Sequence, residues 1–285
     1  MITVTFIRHG ESEDNPHNIW AGWKNAPLSS LGRQQASALA GSFAGIPFTH
    51  IYTSDLLRAH DTAKAVHDSL REPKPPFTIT TSVREQHFGV AEGGVWQLDV
   101  PQDTTREELY KRGIYPIQRG RDERFEGGES LNDLARRSEM ALREIVLPHL
   151  SSLEPDQVKH IAIASHGLAI SELLAAILRL DPHSDKTKSY QGLLNTAWAR
   201  VQVRIRDGIV GIVDRDNVPP LEVTVTHFNQ SKHLENLSPE KIVEEDVSNE
   251  ARAFFGGALG GENIGSDLSV STTNADVEVG IRGNL

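Results

Sequence analysis

The stretch ITVTFIRHGESEDN at residues 2–15 decides the fold and supplies the first chemically active groups. Residues 2–7 are β-branched or apolar, a pattern typical of a strand buried within a sheet. The strand pattern gives way to Arg8 and His9, and a polar, glycine-containing run follows. In open α/β sheets, ligands bind beyond the carboxyl ends of the strands. An arginine and a histidine at the end of the first strand therefore predict a ligand site at that edge of a sheet.

Strand and helix patterns alternate along the first 180 residues. Further strands are predicted at residues 50–53, 77–81 and 160–164, and helices at residues 30–43 and 167–180 and after the capping residues Ser54 and Ser130. This alternation predicts an α/β protein of the three-layer αβα sandwich type. Its sheet is expected to be mostly parallel, with helices on both faces.

Two other regions depart from this alternation. Late strands are predicted at residues 196–205, 209–214 and 221–228, with a hairpin turn at Gly208, and they add antiparallel edge strands to the sheet. Residues 85–128 are rich in Gly, Arg and Glu and show no sustained period. They predict an irregular excursion over one end of the sheet, with a short helix at residues 107–111.

Residues 1–236 are predicted to form one domain, and residues 237–285 a low-complexity, flexible C-terminal tail. Gly, Ser, Thr, Asn and acidic residues dominate this last segment, which has no hydrophobic periodicity. A helical turn at residues 239–246 is expected as the only regular structure there, with a docked strand at residues 277–279 as the alternative.

The composition narrows the class of protein. The chain has 285 residues and a formal net charge of −10, which disfavours a general nucleic-acid surface. It contains no cysteine, so disulfides, thiolate metal sites and cysteine nucleophiles are excluded. No run approaches the ~18 consecutive apolar residues of a membrane helix. We expect a cytoplasmic protein, with the nucleus as an alternative, that binds neither nucleic acid nor membrane; its oligomeric state is left open.

Polar clusters at the predicted strand ends point to phosphate chemistry. They are Arg8-His9, Arg84-Glu85 and Ser165-His166-Gly167, together with Arg58 in the first turn of a helix. Guanidinium groups match phosphate oxygens, and glycines let backbone N–H groups approach them. A neutral imidazole can attack phosphorus, and a carboxylic acid can protonate the leaving oxygen. Such a site needs no acidic metal cage, so neither a metal ion nor another cofactor is expected.

A series of short motifs extends this pattern along the chain. The motifs are IRHGESEDN (7–15), Pro27-Leu28-Ser29 with Gly32 and Gln35-Ala36, YTSDLLRAHDTA (52–63), REQHFGVAEG (84–93), GGES (127–130) and ASHG (164–167). In this order they resemble the histidine phosphatase, or phosphoglycerate mutase-like, superfamily, over roughly residues 1 to 200. A single RHG would carry little weight, whereas several motifs in register form a specific signal.

The resemblance implies a role for each matching residue. His9 is similar to the nucleophile that becomes phosphohistidine. Arg8, Arg58 and His166 are similar to the clamp that holds the phosphate. Glu85 is similar to the general acid and base, with the nearby Glu92 as a rival. Further substrate contacts are implied for Asn15, the backbone N–H of Gly167, Ser12, Gly22 and Glu11.

Three functions are compatible with these residues: a phosphatase acting on a small phosphorylated metabolite, a cofactor-dependent phosphoglycerate mutase, and a non-catalytic interaction module. The module is disfavoured because every catalytic position holds a competent residue. Ala21-Gly22-Trp23 and Glu129-Ser130 resemble mutase motifs, but the excursion is short and Gly-Leu-Ala follows His166. REQHFGVAEG resembles fructose-2,6-bisphosphatase-like and broad-specificity phosphatases, so a phosphatase is predicted.

The excursion also carries a group of basic side chains. They are Arg112, Arg119, Arg121 and Arg124. Two interpretations are open: a solvated surface, or arginines that lean over the pocket and grip a second anionic group of the ligand.

Overall fold

The computed structural model describes residues 1–154, 156–206 and 218–237. Its centre is a six-stranded sheet in the order β3-β2-β6-β1-β7-β8. These strands are β1 (Ile2–Arg8), β2 (His50–Ser54), β3 (Phe77–Thr80), β6 (Lys159–Ser165), β7 (Trp198–Ile205) and β8 (Leu221–Gln230). Strands β3, β2, β6 and β1 run parallel, whereas β7 and β8 are antiparallel. The predicted parallel sheet with antiparallel edge strands is confirmed.

Helices cover both faces of this sheet. The α-helices of the described residues are α1 (Ser30–Phe43), α2 (Leu57–Ser69), α3 (Arg106–Lys111), α4 (Leu131–Ile145), α5 (Leu147–Ser151) and α6 (Gly167–Arg179), of which α3 belongs to the excursion. Helices α1 and α2 pack together on one face, and α4 and α6 pack together on the other. The αβα sandwich is therefore confirmed. Within the described parts of the chain, no helix is both long and apolar enough to cross a membrane.

Alternation along the central strands builds two separate cores. In β1, Val4 and Phe6 are fully buried against α4 and α6, whereas Ile7 is fully buried against α1 and α2. Successive side chains of a strand point to opposite faces of the sheet, so a run of β-branched and apolar residues whose side chains are buried in both directions is covered on both sides. This burial fixes β1 in the middle of the sheet, with its carboxyl end at the edge that carries the site.

The excursion is more ordered than its sequence predicts. It contains a parallel pair of short strands, β4 (Val95–Gln97) and β5 (Ile114–Pro116), in addition to the expected helix α3. Its aromatic side chains form a third core with Trp20, whose indole Nε1 donates to the carbonyl of Tyr115 at 2.9 Å. Leu134 of α4 and Leu168 of α6 contribute to the same core. This packing anchors the excursion beside the amino-terminal ends of the two helices.

One predicted cap is wrong, and one is confirmed. Ser54 does not cap α2: it is the last residue of β2, and the helix begins after Leu56 without a side-chain cap. The Ser54 hydroxyl instead bonds His166 Nε2 at 3.0 Å. Ser130 does cap α4, in a reciprocal capping box with Asp133.

Some predictions fall outside the described residues. They concern the strand at residues 209–214, the turn at Gly208, and the tail from residue 238 onward with its helical turn and docked strand. The division into a domain of residues 1–236 and a tail of residues 237–285 stays a prediction.

Candidate active site

The predicted catalytic groups lie at the carboxyl ends of adjacent parallel strands. Arg8 ends β1 and is paired in register with Ser165, the last residue of β6. His9 and His166 directly follow these two strands, so their side chains leave neighbouring positions of the same sheet edge. The two imidazole rings are 5.1 Å apart, centroid to centroid.

His9 is held as a neutral imidazole with one nitrogen available. Its Nδ1 lies 2.7 Å from the carbonyl oxygen of Gly10, which can only accept, so Nδ1 carries the proton. Nε2 therefore keeps its lone pair and accepts a hydrogen bond from Arg58 Nε at 3.3 Å. Burial, and after it the positive charges of Arg58 and Arg8, lower the pKa of His9 well below its ordinary value. The imidazole is thus neutral at neutral pH, with the lone pair of Nε2 available, which is the form that can act as a nucleophile.

Arg58 is fixed beneath this imidazole by backbone carbonyls. Its guanidinium donates to the carbonyls of Gly22 at 2.7 Å and Lys24 at 2.9 Å, and its side chain is 1% exposed. Gly22 adopts φ 45°, and a Cβ there would come within 2.2 Å of a Glu92 carboxylate oxygen. Burial lowers the pKa of Arg58 to about 10, so it remains protonated at neutral pH. The Gly22 carbonyl thus orients Arg58, whereas a direct contact of Gly22 with the substrate stays a prediction.

His166 presents a nitrogen without a partner. The residue is fully buried, Nε2 bonds the hydroxyl of Ser54, and Nδ1 has no hydrogen-bond partner among the described residues. Burial, and after it nearby positive charge led by Arg58, lowers the pKa of His166 well below its ordinary value. A buried polar nitrogen without a partner is costly in a protein interior, and a bound phosphate oxygen would satisfy it.

Gly167 lies between the two remaining groups, Arg8 and Glu85. A Cβ at this glycine would be 3.8 Å from Arg8 Nε and 3.9 Å from Glu85 Oε2. The Arg8 guanidinium also donates to the carbonyl of Leu193 at 2.5 Å. Together with His9, Arg58 and His166, these residues form one group at the amino-terminal end of α6.

The carboxylate of Glu85 is positioned by backbone donors. It accepts hydrogen bonds from the amides of Ala169 at 3.0 Å, Leu168 at 3.2 Å and Gln86 at 2.9 Å. Two of these donors are free amides of the first turn of α6, which favour a negative group. Its rival Glu92 instead accepts from the backbone amides of Trp23 at 2.7 Å and Phe88 at 3.1 Å. Glu92 therefore orders a loop, whereas Glu85 faces the group around Gly167.

The other predicted contacts are less closely tied to this group. Ser12 directs both its amide and its hydroxyl to the Asn15 side-chain oxygen, at 2.8 and 3.0 Å. Glu11 accepts a hydrogen bond from Ser29, the residue that caps α1. These bonds order the loop after β1, and a direct role of these residues in binding stays a prediction.

Sequence reasoning missed several supporting residues. Arg137 donates to the carbonyl of Glu85 at 2.9 Å, and the Trp23 indole donates to the same carbonyl at 2.7 Å. The Asn195 side chain donates to the carbonyl of His9 at 3.0 Å. All three donate to backbone carbonyls of predicted catalytic residues, and such partners depend on chain geometry and have no sequence signal. In the described parts of the chain, no group of three or more His, Asp or Glu side chains could hold a metal ion.

Comparison with known proteins agrees with this geometry. The model of the histidine phosphatase superfamily (branch 1) matches residues 4–208. A 2,3-bisphosphoglycerate-dependent phosphoglycerate mutase of Gloeobacter violaceus is 29% identical over 182 residues, 64% of this chain and 78% of that protein. A probable phosphoglycerate mutase of Salmonella choleraesuis is 28% identical over 214 residues, 75% of this chain and 85% of that protein.

Solved structures give the same result. A mycobacterial glucosyl-3-phosphoglycerate phosphatase superposes with a TM-score of 0.58 at 25% identity, covering 80% of this chain and 99% of that one. A phosphoserine phosphatase of Entamoeba histolytica, solved with 3-phosphoglyceric acid, shares the fold with a TM-score of 0.54 at 22% identity, covering 82% of this chain and all of the other. The family match covers well over half of the 285 residues. The chain therefore belongs to the histidine phosphatase superfamily.

Proposed function

We propose that this protein hydrolyses phosphate monoesters of small metabolites through a phosphohistidine at His9, without a metal ion. The observation that carries this proposal is the buried, neutral His9 imidazole, whose Nε2 lone pair faces the guanidinium of Arg58. An imidazole that is unprotonated and surrounded by fixed positive charge is suited to attack an anionic phosphorus centre.

The surroundings of Nε2 supply the groups that a phosphoryl anion requires. Arg58 and Arg8 contribute two positive charges, and the partnerless Nδ1 of His166 offers a further polar contact. Because these groups are buried or half-buried, their attraction for a dianion is screened less than it would be in water. The arrangement thereby stabilises charge on the transferring phosphoryl group.

The proposed reaction has two balanced steps. In the first, Nε2 of His9 attacks phosphorus in line, and the P–O bond to the leaving group breaks. The leaving oxygen takes the bond's electron pair and a proton from the carboxyl group of Glu85. In the second, Glu85 removes a proton from water, the water oxygen attacks phosphorus, and the P–N bond breaks with its electron pair returning to Nε2. Inorganic phosphate is the product, and Glu85 regains its proton.

The acid role of Glu85 has its own test. Glu85→Gln should slow turnover of alkyl phosphates by about 100-fold or more, the range for a lost general acid. Turnover of p-nitrophenyl phosphate should fall much less in the phosphorylation step, because its leaving group hardly needs a proton. Pre-steady-state release of p-nitrophenol isolates that step, and equal losses on both substrates would contradict the assignment.

Phosphoglycerate mutase activity is the second candidate. It is favoured by the names of the two relatives that match at 28% and 29% identity. In a mutase, the phosphohistidine returns its phosphoryl group to an acceptor hydroxyl, whereas in a phosphatase it gives the group to water. The phosphatase proposal draws on the mycobacterial glucosyl-3-phosphoglycerate phosphatase at 25% identity and on the motif REQHFGVAEG.

The deciding experiment measures phosphate release from a panel of phosphorylated metabolites in the presence of EDTA. The panel should include 3-phosphoglycerate, glucosyl-3-phosphoglycerate, phosphoserine and sugar bisphosphates. We expect release that resists EDTA, together with an acid-labile phosphoenzyme. His9→Ala should abolish both, whereas His227→Ala, which alters an exposed histidine, should abolish neither.

Two outcomes would overturn the proposal. Turnover that survives in His9→Ala would show that His9 is not the nucleophile. Rapid interconversion of 3- and 2-phosphoglycerate that depends on 2,3-bisphosphoglycerate, with little phosphate release, would identify a mutase.

A further inference from the structure

A cavity of about 520 Å³ lies between α4 and α6, and none of the catalytic side chains lines it. Its volume falls in the range of small-molecule sites, roughly 300–1,000 Å³. Ala135 of α4 and Ser171 and Ala175 of α6 are small and leave room between the helices, and residues 186–191 form a third wall. We call this cavity the α4–α6 groove.

Positive charge dominates the groove. Its lining includes five basic side chains and only two acidic ones, Glu139 and Glu172. The basic members are Arg121, Arg136, Arg179, Lys186 and Lys188. The whole chain carries a net charge of −10, so this excess of three positive charges is a local departure from its composition. A cleft lined by one sign of charge concentrates ligands of the opposite sign.

All three arginines of the groove already have carboxylate partners, and that of Arg136 is Asp133. Arg179 pairs with Glu139 at 2.8 Å, and Arg121 pairs with Glu172 at 2.8 Å. Outside the groove, the excursion residues Arg119 and Arg124 are paired as well. The excursion therefore contributes Arg121 to the groove, but Arg121 is ion-paired there, as Arg119 and Arg124 are outside it.

The two lysines are different. Both are exposed, and the lysine ion pairs of the described residues involve Lys24 and Lys64 instead. Asp185, a neighbouring acid in sequence, directs its carboxylate to Thr187. Lys186 and Lys188 therefore provide two ammonium groups at the rim of a cavity without a carboxylate within ion-pair distance among the described residues.

Both walls of the groove lead to the catalytic group. Ser171 lies one helical turn after Gly167, about 6 Å along α6, and its hydroxyl donates to the Gly167 carbonyl at 3.0 Å. On the other wall, Gln191 precedes by two residues Leu193, whose carbonyl accepts from Arg8. A ligand with its phosphoryl group at His9 would need to extend by about 6–12 Å to reach the groove.

We propose that the α4–α6 groove binds a second anionic group, a phosphate or a carboxylate, through Lys186 and Lys188. This group is either the far end of the substrate or a separate small anion. The first case rests on the proposed function, whereas the second does not.

Calorimetric titration of the full chain with non-hydrolysable phosphonates distinguishes the two sources. One probe is methylphosphonate, and the others are alkane bisphosphonates of increasing chain length. If the groove holds the far end of the substrate, one bisphosphonate binds per chain, with affinity at least about tenfold above methylphosphonate when its ends are suitably spaced. If the groove holds a separate anion, two methylphosphonates bind per chain, and chain length has no effect.

The variant Lys186→Glu with Lys188→Glu provides the direct test. If the groove holds the far end of the substrate, the variant should bind long bisphosphonates no more tightly than methylphosphonate. If the groove holds a separate anion, the variant should bind one methylphosphonate per chain instead of two. The control, Lys64→Glu with Arg71→Glu, makes the same charge change in and just beyond α2, on the opposite face of the sheet. Two results would overturn the proposal. In the first, the protein binds at most one phosphonate per chain and its affinity does not depend on the chain length of the bisphosphonate. In the second, the two double variants change phosphonate binding equally.

These outcomes are separable from those of the proposed function. Hydrolysis through His9 in a protein whose groove binds no phosphonate would reject the groove proposal alone. Anion binding that depends on Lys186 and Lys188, in a protein that forms no phosphoenzyme, would reject the catalytic proposal alone.

Discussion

Replacement of Arg137 should reveal how the segment that carries Glu85 is held in place. The Arg137 guanidinium makes two bonds to the Glu129 carboxylate, at 2.9 and 2.8 Å. It also donates to the carbonyls of Ser82 at 3.1 Å, Arg84 at 2.8 Å and Glu85 at 2.9 Å. One side chain of α4 thus fixes three carbonyls of the segment that follows β3.

The cost of Arg137→Met follows from the burial of this pair. The side chains of Arg137 and Glu129 are 18% and 20% exposed. Removing one member of a fully buried pair costs about 3–5 kcal/mol, because the other charge is left uncompensated. Water reaches part of both groups here, so we expect a loss of about 2–4 kcal/mol in the free energy of unfolding.

Urea unfolding measures this loss, and Arg136→Met provides the matched control. Arg136 is the preceding residue of the same helix, and its ion pair involves a side chain that is 68% exposed. Pairs of that kind contribute about 1 kcal/mol or less. In a double-mutant cycle with Glu129→Gln, the coupling with Arg137→Met should be about 1–3 kcal/mol. A loss below about 1 kcal/mol in the free energy of unfolding, or strictly additive effects of the two substitutions, would refute the conclusion that Arg137 holds the segment that carries Glu85.

Three further predictions concern stability and are each tested by urea or thermal unfolding. Gly32→Ala should destabilise by about 3 kcal/mol, because its Cβ would lie 1.9 Å from the backbone carbonyl oxygen of Glu11. Gly41→Ala lies in the same helix with open space around it and should stabilise the protein by about 0.5–1 kcal/mol. Both predictions would be contradicted if the two substitutions changed the free energy of unfolding in the same direction. Asp181→Asn should cost about 1–3 kcal/mol, since this buried carboxylate accepts bonds from Arg206 and two backbone amides; an unchanged unfolding midpoint would argue against it. The last prediction concerns pH. Burial above all lowers the folded-state pKa of His149, His160 and His233 to about 4. Protons therefore bind the unfolded chain preferentially, and the free energy of unfolding should fall as the pH decreases from about 6.5 toward 4; no change over this range would contradict the prediction.

The part of the fold that could be predicted is the part that periodicity encodes. Residues 2–7 of β1 are β-branched or apolar and residues 161–164 of β6 are all apolar, so their burial on both faces follows from the sequence. Since the carboxyl ends of neighbouring parallel strands share one edge, the meeting of His9 with His166 could be expected before the structure was known. The ring separation of 5.1 Å is consistent with that expectation.

The parts that could not be predicted depend on contacts distant in sequence. Ser54 fits the pattern of a helix cap, but its hydroxyl bonds His166, 112 residues away. The strands β4 and β5 have three residues each, and a run that short carries no measurable period. Their pairing is stabilised by an aromatic core that includes Trp20, which lies outside the excursion.

The contacts around His9 bear on both steps of the proposed reaction, the formation of a phosphohistidine and the transfer of its phosphoryl group. Backbone carbonyls hold the Nη1 and Nη2 atoms of Arg58, so its guanidinium is fixed in position. Its Nε donates to His9 Nε2 in the free protein, and an incoming phosphoryl oxygen would replace Nε2 as the acceptor of this hydrogen bond. The Nε–H of Arg58, which bonds His9 Nε2 in the free protein, is therefore available as a donor to the bound phosphoryl group. In the proposed reaction, formation of the phosphoenzyme is common to a phosphatase and a mutase, and it uses His9, these fixed positive groups and the carboxyl group of Glu85. The choice between water and an acceptor hydroxyl must depend on what can remain bound beside the phosphohistidine. In the proposed reaction, that choice would be set by the surfaces around the site, which include the excursion and the anion site proposed in the α4–α6 groove.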